Sequence, residues 1–163
     1  MNIFFKTHTK GDFNRKTRIA RRIDSSEIEI IVFEGTELEG ILAFALGIIR
    51  DAAEQSTLIF HSKRNTFRDA FEKGWIEAWA RDGFAKRPPE HRETWAQLYA
   101  LLQERDITIK AAHLPEQEER ALTDVLRGKR RETWAPGEPV ENPWEDRSSE
   151  LNDAIDRAVK RKR

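Results

Sequence analysis

The chain has 163 residues and no cysteine, the size of one domain with room for a tail, and this excludes thiol nucleophiles, disulfide frameworks and cysteine-based zinc sites. Lys+Arg and Asp+Glu number 29 each, for a net charge of zero, so a uniformly basic nucleic-acid protein is excluded while a local basic face is not. A charged fraction of 36% and mean hydropathy of −0.74, an apolar run no longer than that around Ile41–Ile49, and an N-terminus without the basic-then-apolar order of a signal peptide predict a soluble, cytoplasmic chain with no membrane partner.

Asn2–His8 is rich in aromatic and β-branched residues and reads as a strand. Lys10-Gly11-Asp12 supplies a turn. In Arg15–Ile23, Thr17, Ile19, Arg21 and Ile23 alternate with Lys16, Arg18, Ala20 and Arg22, which predicts a second strand with one strongly basic side. Glu27–Phe33 is a third strand, and the short connections predict an antiparallel meander. Leu38, Ile41, Leu42, Ala45, Ile48 and Ile49 keep helical spacing across Glu37–Ala53, with Thr36 and Glu39 placed as a capping box. Thr57–His61 is a buried strand. A helical stretch runs from about Thr66 to Asp82, and the Gly83–Glu90 loop is broken by two prolines. Arg92–Glu104 is an amphipathic helix and Ile107–Ala112 a fifth strand. Glu116–Gly128 is a helix with Pro115 at its start and Gly128 as its C-terminal cap. The prolines and glycine of Trp134–Trp144 mark a linker, and Ser148–Lys162 is a polar helix with a thin apolar stripe. The order β-β-β-α-β-α-α-α-β-α predicts an α/β domain over residues 1–128, a linker over 129–147 and a C-terminal helical extension over 148–163.

Charge is unevenly spread along this order. Residues 1–24 carry +5 and residues 25–62 carry −6. Basic clusters at Lys10–Arg22, Arg127–Arg131 and Lys160–Arg163 are candidate phosphate-backbone contacts or plain solvated faces.

The segment Leu58–Trp95 contains Trp75-Ile76, Trp79, Gly83-Phe84, Lys86-Arg87 and Trp95 in order. His113–Leu122 reads HLPEQEERAL and Glu37–Leu46 reads ELEGILAFAL. These three stretches resemble the type 1 ribonuclease H family. That family has a strand, a short helix, a W-I-x-x-W-x-x-x-G-W helix, a basic loop and a helix beginning near a tryptophan. It also has a histidine-bearing loop before its last helix. The resemblance covers residues 1 to about 127. It implies a five-stranded mixed sheet, three strands antiparallel and the rest parallel, flanked by helices.

The resemblance implies the fold more than the chemistry. The family cleaves the RNA strand of an RNA–DNA hybrid with two divalent cations held by four carboxylates, and such a pair of ions needs that negative charge. The matching positions here are Lys6 or a neighbour on the first strand, Glu37, Lys63 or Arg64 after the fourth strand, and Leu122 on the last helix. Only Glu37 matches. Asp12 and Asp124 are offset, and a two-residue shift on a helix turns a side chain by about 200°. A lysine about 4 Å from a dication is repelled by roughly 8 kcal/mol at an effective dielectric of 20. The expectation is therefore a catalytically inactive ribonuclease H-like protein without metal or other cofactor, in which Glu37 pairs with Lys6 or Lys63.

Nucleic acid, hybrid or duplex, is the expected partner. The candidate contacts are Arg15, Lys16, Arg18, Arg21 and Arg22 on the basic strand, and Lys73, Trp75, Trp79, Arg81, Lys86 and Arg87 in the segment matching the family's handle. For Trp75, Trp79 and Trp95 the competing reading is helix packing. His113 and His61 read as loop and strand-end side chains. Two further functions stay open: an interaction scaffold that binds a partner or a second copy through the C-terminal helix, and a divergent nuclease using Glu37, Asp12 and Asp124.

Overall fold

The period-two patterning at the start of the chain folds into an antiparallel meander of β1 (Asn2–Lys10), β2 (Lys16–Ile23) and β3 (Glu29–Glu34). The computed structural model describes residues 1–10, 16–88, 90–128 and 133–134. Arg15, Asp12, the expected C-terminal helix at 148–163 and all of the expected linker except Thr133–Trp134 lie outside the described residues.

Helix α1 (Glu37–Asp51) starts at the expected capping box. The Glu39 N–H donates to Thr36 Oγ1 at 3.3 Å, and the Thr36 N–H donates to Glu39 Oε1 at 2.8 Å, which satisfies two of the helix's orphan amides. The chain then enters β4 (Thr57–Ser62), parallel to β1 with Ile3 opposite Phe60, and β5 (Thr108–His113) lies parallel to β4. The strands run in the order β5-β4-β1-β2-β3, the predicted five-stranded mixed sheet. A two-residue strand, β6 (Thr133–Trp134), is the last described element. The fold lies within Met1–Thr133, one of two units into which the chain divides.

Between β4 and β5 stand α2 (Thr66–Glu72), α3 (Trp75–Ala80) and α4 (Arg92–Arg105). The helical stretch expected from Thr66 to Asp82 is two helices. They part at Gly74, whose φ of 73° lies in the left-handed region that only glycine enters without strain. The last helix, α5 (Glu116–Leu126), packs on β1 and β2.

Strand alternation divides the side chains between two faces. Phe5 of β1 meets Phe44 of α1 with ring centroids 5.4 Å apart. Phe60 of β4 lies edge-on to Phe5 and Phe44, at 6.2 and 6.3 Å, and to Phe67 of α2, at 5.2 Å. Phe67 continues to the buried Trp95 of α4. This aromatic chain, with Ile3, Ile19, Ile41 and Leu58, is the core under α1. The helix approaches closely because Gly40 has no side chain: a Cβ there would stand 3.1 Å from Thr17 Cβ. On the other face, Lys16, Arg18, Ala20 and Arg22 share the side of Phe4, Lys6 and His8, the side that α5 covers. Among the described residues, no helix is long and apolar enough to cross a membrane.

Phe60 joins the aromatic side chains of the sheet to those of α1 and α2. Phe60→Ala is expected to lower the unfolding free energy by about 3–5 kcal/mol, measured by urea titration followed by circular dichroism.

Candidate nucleic-acid interface and the carboxylate positions

The parallel pairing of β1 with β4 brings the ends of both strands to one side of the sheet, beside the first turns of α1 and α5. A cavity of about 260 Å³ there is lined by Lys6, Thr7, Glu37, Lys63, Arg64 and Asn65 among others. The sequence-matched positions therefore do converge. Their pairing differs from the expected one.

Glu37 pairs with neither lysine in the hydrogen bonds formed here. It accepts a hydrogen bond from Thr7 Oγ1 at 2.5 Å. The reason is strand alternation: Thr7 points to the α1 side and Lys6 to the α5 side. Lys6 Nζ reaches Glu119 Oε2 at 3.1 Å and donates to Thr123 Oγ1 at 2.7 Å. Lys63 Nζ reaches the same Glu119 oxygen at 3.1 Å. The two ammoniums converge instead on Glu119, which lies outside the four matched positions. It sits three positions before Leu122, on the same helix face, and Glu116, Glu118 and Glu119 make the first turn of α5 acidic, which the helix dipole favours. Lys6, which hydrogen-bonds to it, and then Lys63 hold the Glu119 carboxyl below the ordinary carboxylate range, against the opposing effect of partial burial.

Leu122 is fully buried, and Asp124 lies two positions further round α5. Among the described residues, no group of three or more His, Cys, Asp or Glu is placed to hold a metal ion. Two divalent cations do not fit a site in which two ammoniums converge on one carboxylate.

The basic side of β2 is not an open face, contrary to expectation. Arg18, Arg21 and Arg22 are half-buried. Arg18 donates to the Leu126 carbonyl at 3.1 Å, Arg22 reaches Glu118 at 3.4 Å, and Arg21 pairs with Glu29 across the strands at 2.7 Å. Helix α5 needs a complementary surface, and its acidic first turn and carbonyl end find Arg22 and Arg18, while Arg21 lies on the opposite face of β2 with Phe5. Lys16 also has a partner within the chain.

The handle segment is different. Trp95 is core, Trp79 is half-buried with its ring edge-on to Trp95 at 5.2 Å, and Trp75 is 37% exposed. Lys73 Nζ lies 5.3 Å from the Trp75 ring centroid, a cation–π contact. Packing thus takes Trp95 fully, Trp79 partly and Trp75 least. Arg81, Lys86 and Arg87 are exposed, and among the described residues none of their side chains has a hydrogen-bond or ion-pair partner. His61 stacks on Phe4 at 4.4 Å and its ring nitrogens contact Asn2 Oδ1 and the His113 carbonyl, so it is a strand-end side chain. His113 is exposed at the end of β5.

No protein-family model and no curated protein sequence matches the chain. Solved structures do match. The foamy viral protease-reverse transcriptase in complex with RNA/DNA hybrid superposes with a TM-score of 0.51 at 13% identity, over 73% of this chain and 18% of that one. This chain therefore spans under a fifth of that protein. The PFV RNase H domain superposes with a TM-score of 0.51 at 14% identity, over 77% of this chain and 90% of that one. The foamy viral protease-reverse transcriptase in complex with dsDNA gives 0.52 at 13% identity, over 77% and 89%. The fold is ribonuclease H-like, with the mixed sheet and strand order of these neighbours.

Glu119→Gln is expected to lower the unfolding free energy by about 1–2 kcal/mol, the scale of charge-assisted hydrogen bonds discounted for partial exposure. Because the folded carboxyl binds its proton less readily than the unfolded one, this difference is present in full above the ordinary carboxylate range. It vanishes as pH falls through the lowered folded value. Urea unfolding of both proteins across a pH series measures it.

Proposed function

We propose that the chain is a non-catalytic ribonuclease H-like module that holds nucleic acid without metal ions, through the α3 handle and the loop that follows it. The observation that carries this reading is the pair of ammoniums, Lys6 and Lys63, that meet on Glu119 where the fold's metal-binding acids are expected. A dication brought there meets roughly 8 kcal/mol of repulsion from each lysine about 4 Å away at an effective dielectric of 20. The rest of the fold keeps features suited to a phosphate backbone. Lys86 and Arg87 stand exposed with no partner among the described residues, and Arg81 and Lys73 lie on the same segment. The solved neighbours include a protein bound to RNA/DNA hybrid and to dsDNA, which supports the ligand class by analogy of fold. Arg18 and Arg22 of β2 hold α5 and Arg21 is paired with Glu29, so the interface proposed is the handle and its loop.

Fluorescence anisotropy on labelled RNA–DNA hybrid and duplex DNA in EDTA tests this. Binding is expected without divalent metal and with affinity that falls steeply with salt, since each neutralised phosphate releases a counterion. Lys86→Ala/Arg87→Ala is expected to weaken binding to all sequences and to reduce the log–log salt slope by about 2, one per cation removed. Hybrid cleavage in Mn²⁺ or Mg²⁺ that survives repurification and is lost in Glu37→Gln would refute the non-catalytic reading.

A further inference from the structure

A second concavity, of about 530 Å³, opens beside the handle and is lined by Trp75, Trp79, Leu38, Arg87, Pro88 and Glu90 among others. Its volume falls in the range of about 300–1,000 Å³ typical of ligand sites. We infer that this cleft seats one unpaired base of a nucleic-acid strand, stacked on Trp75; the inference rests on the nucleic-acid reading above and names the part of the strand that the handle grips.

Three observations, with the charges at the rim, select a base as the occupant. The indoles of Trp75 and Trp79 make an aromatic wall, with ring centroids 6.2 Å apart and planes at 41°. Trp79 is backed edge-on by the fully buried Trp95, so the wall is held by the core and stacking on it orders few additional side chains. Trp75 is one of two large hydrophobic side chains exposed among the described residues, the other being Met1 at the chain start. An aromatic side chain left on the surface beside cations matches the stacking platforms of single-strand binders, where base–aromatic stacking is sequence-tolerant.

The charges at the rim separate the base from its backbone. Among the described residues Arg87 and Glu90 have no hydrogen-bond or ion-pair partner, although both line the cleft. A phosphate inside the cleft would face the Glu90 carboxylate and the negative faces of the indoles. Held outside, it can meet Arg87 and Lys86. A base inside offers amino or imino N–H groups that the Glu90 carboxylate can accept. A quaternary ammonium, the other ligand of aromatic walls, would be repelled by Arg87 and by Lys73 over the Trp75 ring. A paired base within a duplex has its faces covered by its neighbours, so the cleft discriminates for an overhang, bulge or single strand.

The test compares a short blunt RNA–DNA hybrid with the same hybrid carrying 2-aminopurine as a single unpaired overhang, by anisotropy and by 2-aminopurine fluorescence. The overhang form is expected to bind roughly 5- to 150-fold tighter, the worth of one base–aromatic stack, with the fluorophore quenched. Trp75→Ala is expected to erase that advantage and the quenching, so that the variant binds the overhang and blunt forms equally, and Trp75→Phe to keep most of both. Urea unfolding checks that the partly exposed position leaves the variant folded. Equal binding of the two forms, an advantage that survives Trp75→Ala, or a Trp75→Ala loss shared equally by both forms would each overturn the base seat and leave nucleic-acid binding standing. Absence of binding by either form would overturn both readings.

Discussion

One carboxylate shared by two ammoniums organises the end of this sheet. Glu119 draws Lys6 from β1 and Lys63 from the end of β4 to the same oxygen, so three elements distant in sequence are tied at one point. The side chains of Lys6 and Glu119 are each about a quarter exposed, at 25% and 28%. Water screens this pairing less than it would a surface pair, and the contact holds α5 in register as well as adding stability. Arg22 on Glu118 and Arg18 on the Leu126 carbonyl extend the same attachment along the helix, one near its acidic start and one at its carbonyl end.

That attachment separates the molecule's cations into two populations. Those on β2 are half-buried, with Arg18 and Arg22 holding α5 and Arg21 paired with Glu29 of β3. Those on α3 and its loop, Arg81, Lys86 and Arg87, stand exposed without partners among the described residues. Sign of charge does not distinguish the two groups. Location does: a strand side chain facing a helix must be satisfied inside the protein, whereas a loop side chain is satisfied by water and remains available to a phosphate.

The tryptophans grade in the same way. Trp95 is enclosed by Phe67, Phe71 and Trp79 and belongs to the core. Trp79 spans core and surface, and Trp75 lies furthest out. The break at Gly74 makes this possible, since it ends α2 and lets α3 start in a new direction. A continuous helix through this point would carry Trp75 and Trp79 along the axis of α2.

The sequence by itself determined the order of elements, the α/β class and the capping box of α1, because hydrophobic period and turn chemistry are local signals, while the ribonuclease H-like sheet came from the resemblance of three stretches to that family. It also determined that most of the carboxylates expected at the strand and helix ends are replaced, since identity at a position needs no coordinates. Only the tertiary structure decided which charge meets which. Glu37 and Lys6 are matched by sequence yet lie on opposite sides of β1, and Glu119 is one turn away from the position that was matched. The basic stripe of β2 has the alternation of a solvent-facing strand, and nothing local to it records that α5 covers it. Such pairings are set by non-local packing, where a shift of one residue on a strand or two on a helix turns a side chain to another face.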